Sequence, residues 1–167
     1  PTGEFEVLWP RDAGIEYHPD YCVVDGTEYW VITHNAHGAN FCVATTPVGE
    51  LGPLHELDVL VGHSDTVRIE GIDTYRDFMF MAYRRDGIPR LAVSSLSGGF
   101  GEFDELEFSE ELYNVGLGGN PEWDAPVVRV GYSSYTQPSQ VLDYEVATGT
   151  LTLLKEQEVE GGYDPDE

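Results

Sequence analysis

The chain has 167 residues, 41% of them hydrophobic, including seven Phe and ten Tyr, with 19 Gly and ten Pro between the apolar runs. That is enough apolar material for one packed domain and too much for a disordered chain. The formal charge is −23 and Lys155 is the one lysine, which argues against nucleic acid and anionic membrane surfaces as partners and favours cationic ligands.

The acids are dispersed along the chain, so a solvated acidic surface accounts for the charge more simply than a dedicated binding face. No run approaches a membrane span, and the first residues carry no basic, apolar signal pattern. Cys22 and Cys42 sit among apolar neighbours and belong to no CxxC pair. They read as buried free thiols, which fits a reducing, cytoplasmic compartment.

Taken in chain order, the elements alternate with period two and show almost no helical periodicity. Residues 4–9 place Phe5, Val7 and Trp9 on one side of a first strand. Strands follow at 15–18, 29–35, 40–47 and 56–60, then at 67–73, 78–85, 89–96 and 105–108, then at 113–117, 127–135, 139–148 and 151–155. Asp25-Gly26, Asp86-Gly87, Gly98-Gly99 and Thr148-Gly149 punctuate them. Ser109-Glu110-Glu111 can start one helical turn. Phe78-Met79-Phe80-Met81-Ala82-Tyr83 is apolar on both faces and predicts a strand buried on both sides.

The strands fall into three sets of four, whose corresponding members recur at about fifty residues, the range of propeller blades. The expected fold is therefore all-β: a partial β-propeller of about three four-stranded antiparallel blades. Residues 1–10 would be the outer strand of a preceding blade, 14–62, 63–109 and 110–158 the three blades, and 159–167 a connector. Gly161-Gly162 and Asp164-Pro165 in that connector aim the chain at another unit, so the sequence reads as a piece of a larger protein. Blade faces of Phe, Leu and Val left without a neighbour would then promote self-association.

No catalytic constellation emerges. Gly62-His63-Ser64-Asp65-Thr66 comes nearest to GxSxG but lacks the closing Gly and precedes a strand instead of a helix. Gly116-Leu117-Gly118-Gly119-Asn120 has neither the spacing nor the helix and Lys of a phosphate loop. His34 and His37 lie three apart in a turn, with His55 and His63 distant in sequence, and no second ligand pair has typical metal spacing. Trp123-Asp124 and Gly62-His63 are too far apart for one WD repeat. The carboxylates Glu110-Glu111 and Asp164/Asp166 are too numerous a class for proximity to mean much. No catalytic, cofactor-binding or metal residue is assigned, and no cofactor is expected.

One family resemblance runs in order along the chain. Gly14-Ile15-Glu16-Tyr17, Tyr29-Trp30-Val31-Ile32-Thr33 with Asn35 and Ala39-Asn40-Phe41, Glu70-Gly71-Ile72-Asp73, and Gly87-Ile88-Pro89-Arg90-Leu91 carry its first part. Gly118-Gly119-Asn120-Pro121-Glu122, Tyr132–Ser139, Leu154–Val159 and Gly161–Pro165 complete it. The pattern resembles the propeller of the oligopeptidase B (protease II) branch of the prolyl oligopeptidase family of serine peptidases. It departs from that pattern at the turn 33–40, where His34 intervenes. The resemblance implies a seven-bladed propeller joined to an α/β-hydrolase domain, in a cytosolic peptidase that cleaves short peptides after Lys or Arg. The Ser, Asp and His of that family lie downstream of the segment resembled by Gly161–Pro165, so none carries over to these residues. The expected partners are the parent's own hydrolase domain and short basic peptides, and the chain alone is expected to be inactive. The rival readings are a non-enzymatic propeller scaffold and, more distantly, a β-sandwich binding module, which the blade spacing disfavours.

Overall fold

Asp25 and Gly26 have φ of +49° and +81°, and Asp86 and Gly87 have φ of +55° and +81°. Two successive left-handed residues make the two-residue turn whose twist matches the strands it joins. These turns begin the hairpins of the computed structural model, which describes residues 3 and 6–162. The first sheet holds β1 (Tyr17–Val24), β2 (Thr27–His34), β3 (Cys42–Pro47) and β4 (Asp58–Val61). The second holds β5 (Val67–Thr74), β6 (Phe78–Arg85), β7 (Ile88–Ser95) and β8 (Asp104–Glu105). The third holds β9 (Tyr113–Leu117), β10 (Val127–Ser134), β11 (Gln140–Glu145) and β12 (Thr150–Glu156). Each sheet is an antiparallel meander of neighbouring strands.

β1 continues to Val24, well past the expected stop at residue 18. Pro19 sits inside it without breaking it, because β1 is an edge strand and a missing N–H costs least there. Of the expected first strand, Glu4 and Phe5 lie outside the described residues, and 6–9 join no strand. Ser109-Glu110-Glu111 forms a bend and no helix. Leu106 N still donates to Leu91 O at 2.8 Å, which leaves only a short, extended link to β9. The described residues contain one turn of 3-10 helix, Leu54–Glu56, behind Pro53 with φ −59°. The 163–167 part of the expected connector is outside the described residues.

The core lies between sheets. Along β6, Phe78 and Phe80 point to the third sheet, where they meet Val128, Val130, Leu142 and Tyr144. Met79, Met81 and Tyr83 point to the first sheet and pack with Cys22, Val31 and Val43. Period-two alternation thus fills both interfaces from one strand, as its apolar run predicted.

The two outward faces are not bare. That of the first sheet carries Ile32 and Ala44, with Leu54 and Leu57 buried over them and Trp9, Ile15, Tyr17 and Trp30 packed around. Trp9 Nε1 donates to Gly52 O at 2.8 Å, Tyr17 Oη donates to Trp9 O at 2.9 Å, and the two rings meet edge to face at 5.3 Å. The outward face of the third sheet carries the ion pair Arg129–Asp143, with Nε to Oδ1 at 3.0 Å, on strand positions alternate to buried Val128 and Val130. Among the described residues the outward face of the first sheet is thus partly covered by Trp9, and that of the third sheet carries an ion pair. Trp9→Ala should cost about 2 kcal/mol, from partial burial of a large ring and one hydrogen bond, and should raise binding of a hydrophobic dye. Unchanged denaturant midpoint and dye signal would contradict the cap.

Candidate functional site

Four strands per sheet bring the chain into and out of each sheet at the same end, here called the lower rim. The first strands converge: Thr74 Oγ1 donates to Tyr21 O at 2.6 Å, and Thr74 N donates to Asp20 Oδ2 at 3.1 Å. β1 and β5 therefore form an inner edge, and it is acidic. Burial, and then the neighbouring Asp20 carboxylate, raise the carboxyl of Asp73 above its ordinary value. Burial, then Asp73 and Asp20, also raise the Tyr75 hydroxyl. A carboxyl whose charge is disfavoured by burial and a neighbouring carboxylate marks a spot where a cationic group is stabilised.

The second feature joins the second and third sheets. Glu105 accepts a hydrogen bond from Tyr83 Oη and two from Arg85 Nη2 at 2.9 Å, and its Oε1 lies 2.8 Å from Arg90 Nη1. The Arg90 guanidinium lies 5.2 Å from the centre of the Tyr113 ring. Burial by itself would raise the Glu105 carboxyl, but the Tyr83 hydroxyl and the two guanidinium groups outweigh it and hold the group below its usual value. Burial and the same hydrogen bond push the Tyr83 hydroxyl far above the ordinary tyrosine range. Nearby on the lower rim, Ile88, Pro89, Tyr113, Ser134 and Tyr135 line an open cleft of about 330 Å³. Tyr135 is 92% exposed there.

The third feature is the β2–β3 turn, also on the lower rim. His34 ends β2 and Cys42 starts β3. They are register partners, both fully buried, with Nε2 3.3 Å from Sγ. His37 lies between them in the turn, exposed, its ring 5.5 Å from that of His34. The turn is tied on several sides. Asn35 Nδ2 donates to Gly14 O at 2.9 Å, Asn40 Nδ2 to Ser64 O at 2.9 Å, and Arg68 Nη1 to Ala39 O at 3.0 Å. Gly38 has φ +152°, and a Cβ there would lie 2.4 Å from His63 Nε2, so only glycine fits. Burial, and then the neighbouring His37, lower His34 to about 4; burial pushes the Cys42 thiol up to about 11. At neutral pH this is a neutral imidazole beside a neutral thiol.

The other motifs have local structural roles. Ser64 Oγ accepts from Thr66 N at 3.2 Å in a connecting loop. Asn120 bridges strand ends, donating to Gly118 O and Arg129 O and accepting from Arg129 N at 2.7 Å. Trp123-Asp124 links two sheets: Trp123 O accepts from Arg76 N at 2.9 Å, and Asp124 lies 3.9 Å from Arg76. His55 is exposed beside Glu56. Glu110 accepts from Thr136 Oγ1 at 2.8 Å, while Asp164 and Asp166 lie outside the described residues. Cys42 was missed as a companion of the two histidines, because the three meet through strand register and the spacing His-x2-His-x4-Cys is not a familiar ligand pattern.

Comparison with known proteins adds the following. The family described as prolyl oligopeptidase, N-terminal β-propeller domain, matches residues 13–157. Dipeptidyl aminopeptidase BI of Pseudoxanthomonas mexicana is 34% identical over 160 residues, covering 95% of this chain and 21% of that protein. Protease 2 of Moraxella lacunata is 24% identical over 168 residues, covering 98% and 22%. Among solved structures, oligopeptidase B from Trypanosoma brucei superposes with a TM-score of 0.84 at 25% identity, covering 95% of this chain and 23% of that one. The enzyme from Leishmania major gives 0.82 at 29%, covering 96% and 23%. The chain spans about a fifth of the length of the curated relatives it matches.

Proposed function

Because the chain belongs to the prolyl oligopeptidase N-terminal β-propeller family, we propose that it is the non-catalytic, substrate-gating part of a serine peptidase that hydrolyses short peptides after Lys or Arg. The single observation that carries this reading is the family match over 13–157, in a chain that spans about a fifth of its peptidase relatives. A serine nucleophile on a separate hydrolase domain would do the chemistry. These three sheets would narrow access to it, and would be inactive alone. The buried thiols Cys22 and Cys42 fit a reducing, cytoplasmic setting. No helix among the described residues is long and apolar enough to cross a membrane.

The acidic inner edge supports cationic substrates. Asp20 and Asp73 stand where a peptide moving along β1 and β5 would pass. In the parent peptidase, Asp20→Asn with Asp73→Asn should lower kcat/KM for a dibasic peptide by roughly tenfold at low salt and leave a neutral peptide unchanged. The wild-type rate for the dibasic peptide should itself fall as salt is raised. A flat salt response together with unaltered variant kinetics would return the charge to a solvated surface.

The 34% identity to a dipeptidyl aminopeptidase favours a second reading, removal of dipeptides from a free N-terminus. Its substrate also presents a cation, the α-ammonium group, to the same acidic edge. Comparing an N-acetylated basic peptide with its free-amine form separates the two: acetylation abolishes dipeptide release and spares internal cleavage. A scaffold propeller without an enzyme would show neither activity in the parent.

A further inference from the structure

We propose that the β2–β3 turn is a binding site for a thiophilic divalent transition metal, zinc or cobalt, with His34, His37 and Cys42 as its ligands. The ligand atoms of the three residues all lie within 4.8 Å of one another. His34 Nε2 and Cys42 Sγ, 3.3 Å apart, are close to the roughly 3.6 Å edge of a tetrahedron built from Zn–N and Zn–S bonds of about 2.05 and 2.3 Å. One imidazole and one thiol are held rigidly by register between two strands. The third ligand is on a turn that is anchored by Asn35 and Asn40 yet leaves the His37 side chain open to solvent. That combination gives a metal both a preformed seat and a way in.

A purely structural role explains part of this group and leaves part over. Buried His34 is satisfied by Ala36 N, which donates to its Nδ1 at 3.3 Å, and by the Cys42 thiol. His37 contributes nothing to that arrangement and makes no side-chain hydrogen bond among the described residues, yet its ring is turned to within 5.5 Å of His34. Three protein ligands leave a fourth position for water or an external ligand. The His63 ring lies against Gly38 of the same turn. One nitrogen–sulfur donor set selects zinc or cobalt over the calcium and magnesium that the acidic surface attracts. Binding exchanges the thiol proton for the metal: the S–H bond breaks, the S–metal bond forms and one proton leaves to solvent, while the His34 proton moves from Nε2 to Nδ1 and the weak Ala36 N–H contact at 3.3 Å is given up, with no change of oxidation state.

The test is titration of the chelator-stripped chain with Co(II) in excess magnesium. One equivalent should bind, with tetrahedral visible bands, a thiolate-to-cobalt charge-transfer band and release of about one proton. His37→Ala, a change at an exposed position, should weaken binding by about 100-fold with the far-ultraviolet spectrum unchanged, since losing a direct ligand exceeds the roughly 10- to 100-fold cost of losing an outer-shell partner. Cys42→Ser should remove the charge-transfer band. Either Co(II) spectra without that band in the wild-type chain, or equal affinities for wild type and His37→Ala, would overturn the site.

Discussion

Phe80→Ala should lower the unfolding free energy of the chain by about 3–5 kcal/mol, the range for removing a fully enclosed aromatic ring. Phe80 has no exposed surface. Its ring meets Phe78 at 5.9 Å and Tyr144 at 5.8 Å, both edge to face, so it touches its own sheet and the next one at once. The deletion removes dispersion contacts on both sides and leaves a void that two rigid sheets cannot close. Denaturant unfolding should show a lower midpoint with an unchanged slope. Leu153→Ala, at a position 52% exposed on the last strand, should change stability by less than about 0.5 kcal/mol. Similar small losses for both variants would mean that the second and third sheets are not joined through this ring.

Glu105→Gln is the second large effect, about 2–3 kcal/mol at neutral pH. Removing one partner of an enclosed charge cluster leaves the others without compensation, which costs about 3–5 kcal/mol when all are buried. Here Arg85 is 44% exposed and can turn to water, while Arg90 is only 21% exposed and cannot do so fully, hence the smaller figure. The pH dependence has a definite sign. The folded carboxyl is held below its ordinary value, so its contribution is complete above the unfolded value near 4.3 and is lost as pH falls through the folded one. The gap between wild type and variant should be wide at pH 7 and should narrow below about pH 4. A constant gap across that range would assign the loss to packing instead of charge.

These two sites differ in how far they could be read from residues alone. The unbroken apolar run from Phe78 to Tyr83 announced a strand with two dry faces, and the Asp-Gly pairs announced its hairpins, because both signals are local. The grouping by four followed from the spacing of such signals. Glu105 gave no such warning. It is one acid among 31 Asp and Glu, and it meets Tyr83 only because β6, β7 and β8 lie side by side. The same is true of Cys42 beside His34: a pair eight residues apart becomes adjacent through register. Trp9 was read as a strand residue because it alternates with its neighbours, yet its ring is held by Gly52, forty-three residues away. Chain alternation reports which side of a strand is apolar. It does not report what lies against that side.

The contrast between the two outward faces bears on polymer growth. A head-to-tail stack of copies needs one face to be complementary to the other. Here the leading face is an apolar patch already shut by Trp9 and the 3-10 turn, and the trailing face presents Arg129 and Asp143. Joining the two would strip water from the Arg129–Asp143 ion pair against a largely apolar surface. A copy stacked head to tail on another would meet this penalty at every joint, so the two faces differ in what they would accept as a neighbour.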